Sequence, residues 1–222
     1  MINVIDLHKT YMGKVPTTVL RGINIEVGKG EFVAIMGKSG SGKSTLLHQL
    51  GLFDVPTKGE IFYDGELVSD LSEREKNNFR LHKLGYVFQE YALLPELNVI
   101  ESVYLPLKMQ SIDQDDYILR SKEALDKVGL AHRMNHMPNE LSGGEQQRVA
   151  IARAIVGRPK ILFADEPCAN LDSESSEMVV DLFRKLNKEL GQTIVMVTHE
   201  PDDTKKVDRV IRLKNGVVTN EE

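Results

Sequence analysis

The sequence has no tryptophan, one cysteine and only 6% aromatic residues, and it carries a modest net charge of -5. Each scarcity removes a class of explanation. The single Cys168 excludes an internal disulfide, and with no Cys or His beside it in sequence it also lacks the spacing of a metal cluster or a redox pair. Any metal is therefore expected to arrive with a ligand. No window approaches the run of about 18 apolar residues that a membrane span needs. The start, Met1-Ile2-Asn3-Val4-Ile5-Asp6, has neither the basic residues nor the apolar core of a secretory signal. A cytosolic chain is expected. The acidic balance does not suit a dedicated nucleic-acid binder, whose affinity comes largely from Lys and Arg on phosphates, so no nucleic-acid partner is expected.

What is present suffices for one α/β core: 222 residues, 41% hydrophobic and 27% charged. Ile2 to Leu7 and Ile23 to Val27 alternate roughly as half-buried strands do, and Ile61-Phe62-Tyr63-Asp64-Gly65 reads as a strand entering a hairpin. These predict a peripheral β layer. Four other segments are apolar runs that stop at a polar residue or a glycine-rich loop: Phe32 to Met36, Tyr86 to Phe88, Ile161 to Ala164 and Ile194 to Val197. Such runs predict central parallel strands, whose carboxyl ends are where ligands sit. Between Gln89 and Leu141 the strand signal vanishes, and Asp115 to Val128 has helical character with Gly129 as its stop. Arg209 to Leu213 and Val217-Val218 flank Lys214-Asn215-Gly216, a hairpin signal. No repeat, linker or sensor domain is expected beyond it.

Gly37-Lys38-Ser39-Gly40-Ser41-Gly42-Lys43-Ser44 matches the phosphate-loop pattern in full, after an apolar strand and before the helix start Ser44-Thr45-Leu46-Leu47. Backbone amides there cradle β and γ phosphates, Lys43 neutralises them, and Ser44 offers its hydroxyl to Mg²⁺. Asp165 and Glu166 end the strand Ile161 to Ala164. Adjacent strand residues point in different directions, so Asp165 is expected to hold Mg²⁺ and Glu166 to activate water. A third feature is Leu141-Ser142-Gly143-Gly144-Glu145. Ser142 and Glu145 make a capping box, which predicts a helix running to Val156 with Gly157 and Pro159 as its stop. Capping does not ask for Gly143 and Gly144, whereas bare amides at a helix N-terminus bind anions. The phosphates already have a home, so this half-site is expected to serve another molecule.

Leu141 to Glu145 is similar to the signature motif of the ABC transporter ATPases, and other motifs follow in that family's order along nearly the whole chain. Tyr11 resembles the aromatic that stacks on adenine, Gln89 the Q-loop, Asn170-Leu171-Asp172 the D-loop and His199 the switch histidine. Gly37 to Ser44 and Ile161 to Glu166 resemble Walker A and Walker B. The resemblance implies a P-loop NTPase α/β core with a mostly parallel central sheet, a peripheral antiparallel β layer and a helical insertion. It implies one nucleotide-binding domain over 1–222, an insertion over 90–140 and a signature helix over about 141–157. ATP and Mg²⁺ are the implied cofactors. Gly37, Ser39, Gly40, Ser41, Gly42, Lys43, Ser44, Thr45 and Tyr11 bind nucleotide; Ser44, Gln89 and Asp165 hold the metal; Glu166, His199 and Gln89 serve catalysis. Two copies meet head to tail, so the signature residues Ser142, Gly143, Gly144 and Glu145 bind the nucleotide held by the other, Ser142 and Gly144 meeting its γ phosphate, and Asp172 crosses the interface. Glu145 stands where Gln is frequent, Lys38 fills a variable position, and Cys168-Ala169 replace a common Thr-Gly; none removes a required group.

Gly85 to Gln89, then Leu93-Leu94-Pro95, and the stop after the last hairpin resemble the lipoprotein-release, macrolide-export and cell-division type. Tyr91 to Val99 then either docks a cytoplasmic helix of a membrane subunit or fills the insertion's own core. The implied task is to drive a separate membrane permease from the cytoplasmic face. Two alternatives are mechanical signalling without transport and a soluble ATPase of DNA repair or translation. Ser142 follows Ser44 by 98 positions, too few for the long coiled coil of repair ATPases, and the chain holds one cassette where the translation type holds two.

Overall fold

The unbroken apolar runs and the alternating segments sort into two different sheets in a computed structural model that describes residues 1–221. In chain order, β1 (Ile2–Tyr11), β2 (Thr17–Val27) and β3 (Phe32–Met36) precede helix α1 (Lys43–Leu50). Then come β4 (Lys58–Tyr63), β5 (Glu66–Leu67), α2 (Glu73–Lys83) and β6 (Leu84–Val87). Helices α3 (Val99–Met109), α4 (Gln114–Lys127) and α5 (Gly143–Ile155) follow, and after them β7 (Ile161–Asp165), α6 (Ser173–Leu190), β8 (Thr193–Thr198), β9 (Arg209–Lys214) and β10 (Val217–Glu221).

The core sheet has the order β10-β9-β3-β8-β7-β6, parallel throughout except for β10 against β9. Strands β7 and β8 are buried at every position. Their alternate side chains feed opposite cores: Leu162, Ala164, Ile194 and Met196 pack toward α3 to α6, while Ile161, Phe163, Val195 and Val197 pack toward α1 and the second sheet. Burial on both faces is why these strands read as continuous apolar runs. The second sheet is antiparallel, in the order β2-β1-β4-β5, and presents Ile2, Val4, Leu7, Ile23, Ile25 and Ile61 to the shared core. The expected α/β class, with a largely parallel sheet and a peripheral antiparallel layer, is what the chain adopts.

Several elements differ from expectation in extent. Strands β1 and β2 run on to Tyr11 and back from Thr17 as a long hairpin. Strand β6 covers Leu84 to Val87, leaving Phe88 beyond it. Beyond its hairpin role, β9 pairs in parallel with β3, Val33 lying opposite Arg209. Helices α2 and α6 carried no expectation, and α3 was expected only as part of the helical insertion over 90–140. α2 is polar on most faces and is started by a Ser72–Glu75 capping box. α3 contains Pro106 and begins with an Asn98–Glu101 capping box, and Val99, Val103 and Leu107 join the core that α4 and α5 share. Register fixes what matters for chemistry: Met36 lies beside Thr198, Val197 beside Asp165, and Ala164 beside Val87. The ends of four parallel strands therefore converge on one edge.

Candidate active site

The phosphate loop leaves β3 and turns into α1 at Lys43. Gly42, with φ of 103°, is the N-cap of α1 and supplies no side-chain cap, so the first-turn amides are left to an outside acceptor. The loop also folds tightly: a Cβ on Gly37 would lie 2.3 Å from the Leu213 carbonyl oxygen and 2.5 Å from Ser41 Oγ. Ser41 Oγ is buried without a hydrogen-bond partner. Lys43 is 5% exposed, with Nζ 3.4 Å from the Lys38 carbonyl oxygen and 3.5 Å from Glu166 Oε1. Bare amides, an orphan hydroxyl and a desolvated ammonium fit a polyphosphate.

Asp165 and Glu166 stand side by side in chemically different surroundings. The Ser44 hydroxyl donates to Asp165 Oδ1 at 3.2 Å, the Tyr86 hydroxyl lies 3.5 Å from Oδ2, and His48 Nε2 lies 3.6 Å from Oδ2. Burial pushes the Asp165 carboxyl above the usual carboxylate range. A carboxylate beside a hydroxyl is a donor set for a hard cation such as Mg²⁺. Glu166 occupies left-handed backbone, φ 42°, with its amide bonded to the Val197 carbonyl. Such a conformation costs about 1–3 kcal/mol for a residue other than glycine and marks sites where side-chain direction matters. Its carboxylate bridges two groups: Oε1 faces Lys43, and Oε2 lies 3.1 Å from His199 Nδ1. His199 Nε2 is 3.2 Å from Glu200 Oε1.

Gln89 is exposed just beyond β6, and its carbonyl accepts from Asn170 Nδ2 at 3.2 Å. Tyr11, 43% exposed, donates its hydroxyl to Asp54 Oδ2 at 3.0 Å and interacts with Thr45 at the start of α1. Lys9 binds the other oxygen of Asp54 at 2.6 Å and places Nζ 4.9 Å from the Tyr11 ring centre. The ring is thus fixed beside the phosphate loop.

Ser142 to Glu145 keep company elsewhere. The expected capping box is present: Ser142 Oγ accepts from the Glu145 amide at 3.3 Å, and the Ser142 amide donates to Glu145 Oε2 at 2.9 Å. That amide bond, with Arg133 Nε 3.2 Å from Oε1, holds the Glu145 carboxyl below its usual range. Both glycines turn out to have neighbours in their own chain. A Cβ on Gly144 would lie 2.9 Å from Ser175 Oγ, and one on Gly143 3.0 Å from the Tyr91 hydroxyl. Ligand access is therefore not the sole reason for glycine at these positions. Asp172 caps α6, accepting from the Ser175 amide and hydroxyl at 2.8 Å each. These contacts run to α6 and Tyr91 and include no residue of the phosphate loop.

The structure joins Lys43, Ser44, Asp165, Glu166 and His199 into one cluster and sets Tyr11 beside Thr45 at its border, whereas among the described residues no hydrogen bond or ion pair joins Gln89, Ser142 to Glu145 or Asp172 to it. Sequence reasoning missed His48, Tyr86, Asp54, Lys9 and Arg133. Each meets its partner only through the fold, Tyr86 and Asp165 being 79 positions apart. Among the described residues no helix is long and apolar enough to cross a membrane, and no group of three or more His, Cys, Asp or Glu could hold a metal.

Residues 20–169 match the family model described as ABC transporter. The chain is 47% identical, over its whole length, to the macrolide export ATP-binding/permease protein MacB of Chlorobium luteolum, and spans 33% of that relative. It thus spans about a third of the length of the MacB relatives it matches. It is 45% identical to the lipoprotein-releasing system ATP-binding protein LolD of Geobacter metallireducens, covering 98% of this chain and 97% of that one. Among solved structures, the dimeric post-hydrolysis state of the ATP-binding cassette MJ0796 bound to ADP and Pi superposes with a TM-score of 0.92. The two are 42% identical, over 100% of this chain and 98% of that one.

Proposed function

This chain belongs to the ABC transporter family of ATPases, and from that premise we propose that Mg-ATP closes two copies head to tail and that hydrolysis reopens them to drive a membrane permease. The whole described chain acts as one nucleotide-binding domain, with residues 90–140 as its helical insertion and 141–157 as its signature helix. The amides of Gly37, Ser39, Gly40, Ser41 and Gly42, with Lys43, Ser44 and Thr45, hold the phosphates, and Tyr11 stacks on the base. Ser44, Asp165 and Gln89 are the residues that would hold Mg²⁺, which supplies charge neutralisation at the β and γ oxygens. Glu166 takes the proton of the attacking water, and His199 holds the γ phosphate and that water in line. Ser142, Gly143, Gly144 and Glu145 of the second copy complete the site, and Asp172 lies across the interface.

The single observation that carries this reading is the Glu166 carboxylate held between Lys43 Nζ at 3.5 Å and His199 Nδ1 at 3.1 Å. A base so placed sits between the phosphate-binding cation and the group that orients its water. A permease contact is supported by Tyr91 to Val99: Leu93 packs on the helical core while Leu94 is 49% exposed. The protein then works peripherally on the cytoplasmic face of a membrane.

The test is sedimentation of the Glu166→Gln variant. It is expected to be monomeric without nucleotide and dimeric at saturating Mg-ATP, and Ser142→Arg added to it should abolish the dimer while ATP binding persists. A Glu166→Gln protein that stays monomeric while saturated with Mg-ATP would sink the shared-site reading.

A further inference from the structure

Asp203 is a buried carboxylate that none of the chemistry above employs. It lies 6% exposed on the 3₁₀ turn Asp202–Lys206, four residues after His199. The lysines of that turn are engaged elsewhere, Lys205 with Asp202 at 2.7 Å and Lys206 with Asp181 at 2.6 Å. Among the described residues no lysine, arginine or histidine forms an ion pair with Asp203, although the charge of His199 acts on it from farther off; a carboxylate so removed from water is a poor choice for filling space, because an apolar side chain would do so without the desolvation cost. Its compensation comes from neutral donors: the Thr198 hydroxyl, 2.7 Å from Oδ2, and the Cys168 thiol.

The Thr198 bond leads directly to the cluster. Thr198 is the last residue of β8 and is 2% exposed, and its Oγ1 also accepts from the Glu200 amide at 3.0 Å. One hydroxyl therefore donates to Asp203 and accepts from Glu200, bracketing His199. Giving its hydrogen to Asp203 leaves the lone pairs of Oγ1 free for the Glu200 amide, so the two bonds favour each other. His199 needs such a frame, because its side chain is 47% exposed and little packing holds it.

We propose that Asp203 is a positioning residue for hydrolysis: acting through the Thr198 hydroxyl, it fixes the turn that holds His199 Nδ1 3.1 Å from Glu166. The inference rests on His199 belonging to the hydrolytic site. Asp203→Leu and Thr198→Val should each lower kcat by about tenfold or more while leaving KM for ATP within about twofold, the pattern of an interaction needed mainly in the transition state. Asp203→Asn and Thr198→Ser, which keep an acceptor and a hydroxyl, should retain most of the rate. On a His199→Ala background, Asp203→Leu should lower kcat no further, because the group it positions is gone.

Full-chain ATPase kinetics decide the matter. Normal kcat in a folded Asp203→Leu protein overturns the inference, as does an additive loss on the His199→Ala background, which would mark a merely structural role. If His199→Ala itself hydrolyses ATP normally, the hydrolytic reading fails and this inference with it. Should Asp203→Leu not fold, the contrast between Thr198→Val and Thr198→Ser carries the same comparison, and equal rates for that pair would sink the proposal.

Discussion

Glu166 Oε1 lies 3.5 Å from Lys43 Nζ, so the cation of the phosphate loop is paired with the carboxylate that the proposed mechanism uses as its base. Phosphates entering the loop compete with that carboxylate for Lys43. Glu166→Gln therefore has two expected effects. It should slow single-turnover hydrolysis by about 10²–10⁴, the usual worth of a positioned base. It should also bind ATP more tightly, by roughly two- to tenfold, where tenfold corresponds to about 1.4 kcal/mol. Equilibrium binding of ATP to the monomer reads the second effect, and weaker binding would mean that Glu166 helps to hold nucleotide.

The close approach of α5 to α6 gives a prediction about α5 that needs no ligand. Gly144→Ala would put a methyl group 2.9 Å from Ser175 Oγ and 3.1 Å from Ser175 Cβ. The hydroxyl can rotate away, but Cβ cannot, and Ser175 is already engaged in the Asp172 cap. Overpacking of this kind lowers stability by about 1–3 kcal/mol. Chemical denaturation should show that loss, and Ser175→Gly added to Gly144→Ala should recover part of it. Wild-type stability for the single variant would mean that ligand access alone accounts for this glycine.

The parts legible in sequence are those whose signal is local. Strands β7 and β8 declare themselves because both faces are buried, and Ser142 with Glu145 declares a helix start because a capping box is a four-residue event. Helix α2 hides because Glu-Arg-Glu-Lys-Asn-Asn offers almost no apolar periodicity, and α3 hides because Pro106 and β-branched Val99, Ile100 and Val103 read against a helix. Both had a readable capping box, Ser72 to Glu75 and Asn98 to Glu101, which was the available signal. Within the site, Lys43, Ser44, Asp165 and Glu166 were legible from motif and strand context. Their supports were not, because contacts such as His48 with Asp165 exist only once β7 lies near α1.

Asp165 should show a conflict between stability and function. Burial, opposed in part by the Ser44 hydroxyl, raises its carboxyl above the ordinary value near 3.8. A raised carboxylate binds its proton more tightly in the folded state, so its contribution to stability is present below that value and lost as pH rises through the folded one. At neutral pH the folded protein therefore holds a disfavoured charge. Asp165→Asn keeps the shape and can still accept from Ser44, so the nucleotide-free protein should melt higher, by about 2–4 °C for each kcal/mol recovered in a chain of this size. Mg²⁺-dependent stimulation of ATP binding should fall at the same time. A lower melting temperature at neutral pH would show that the charge is compensated in the fold.

Cys168 tests the packing beneath Asn170 to Asp172 from the alkaline side. Burial, reinforced by the Asp203 carboxylate, pushes its thiol from the ordinary value near 9 up to about 12. Between those values the folded protein holds a proton that the unfolded chain has released, so stability falls as pH rises above 9, by at most about 1.4 kcal/mol per pH unit from this group. Other groups titrate there too, so the measurement is a difference: the stability of wild type relative to Cys168→Ala should shrink between pH 9 and pH 10.5, while below about pH 8 it stays constant. Because the thiolate is the nucleophile, alkylation of native protein at pH 8 should be slow and should become fast in denaturant. Asp203→Asn removes the carboxylate beside the thiol, so the alkaline loss should still begin near pH 9, where the unfolded chain releases its proton, but should level off at a lower pH and be smaller in total than in wild type. Rapid alkylation of the folded wild-type protein would contradict this picture of a sealed contact between Cys168 and Asp203.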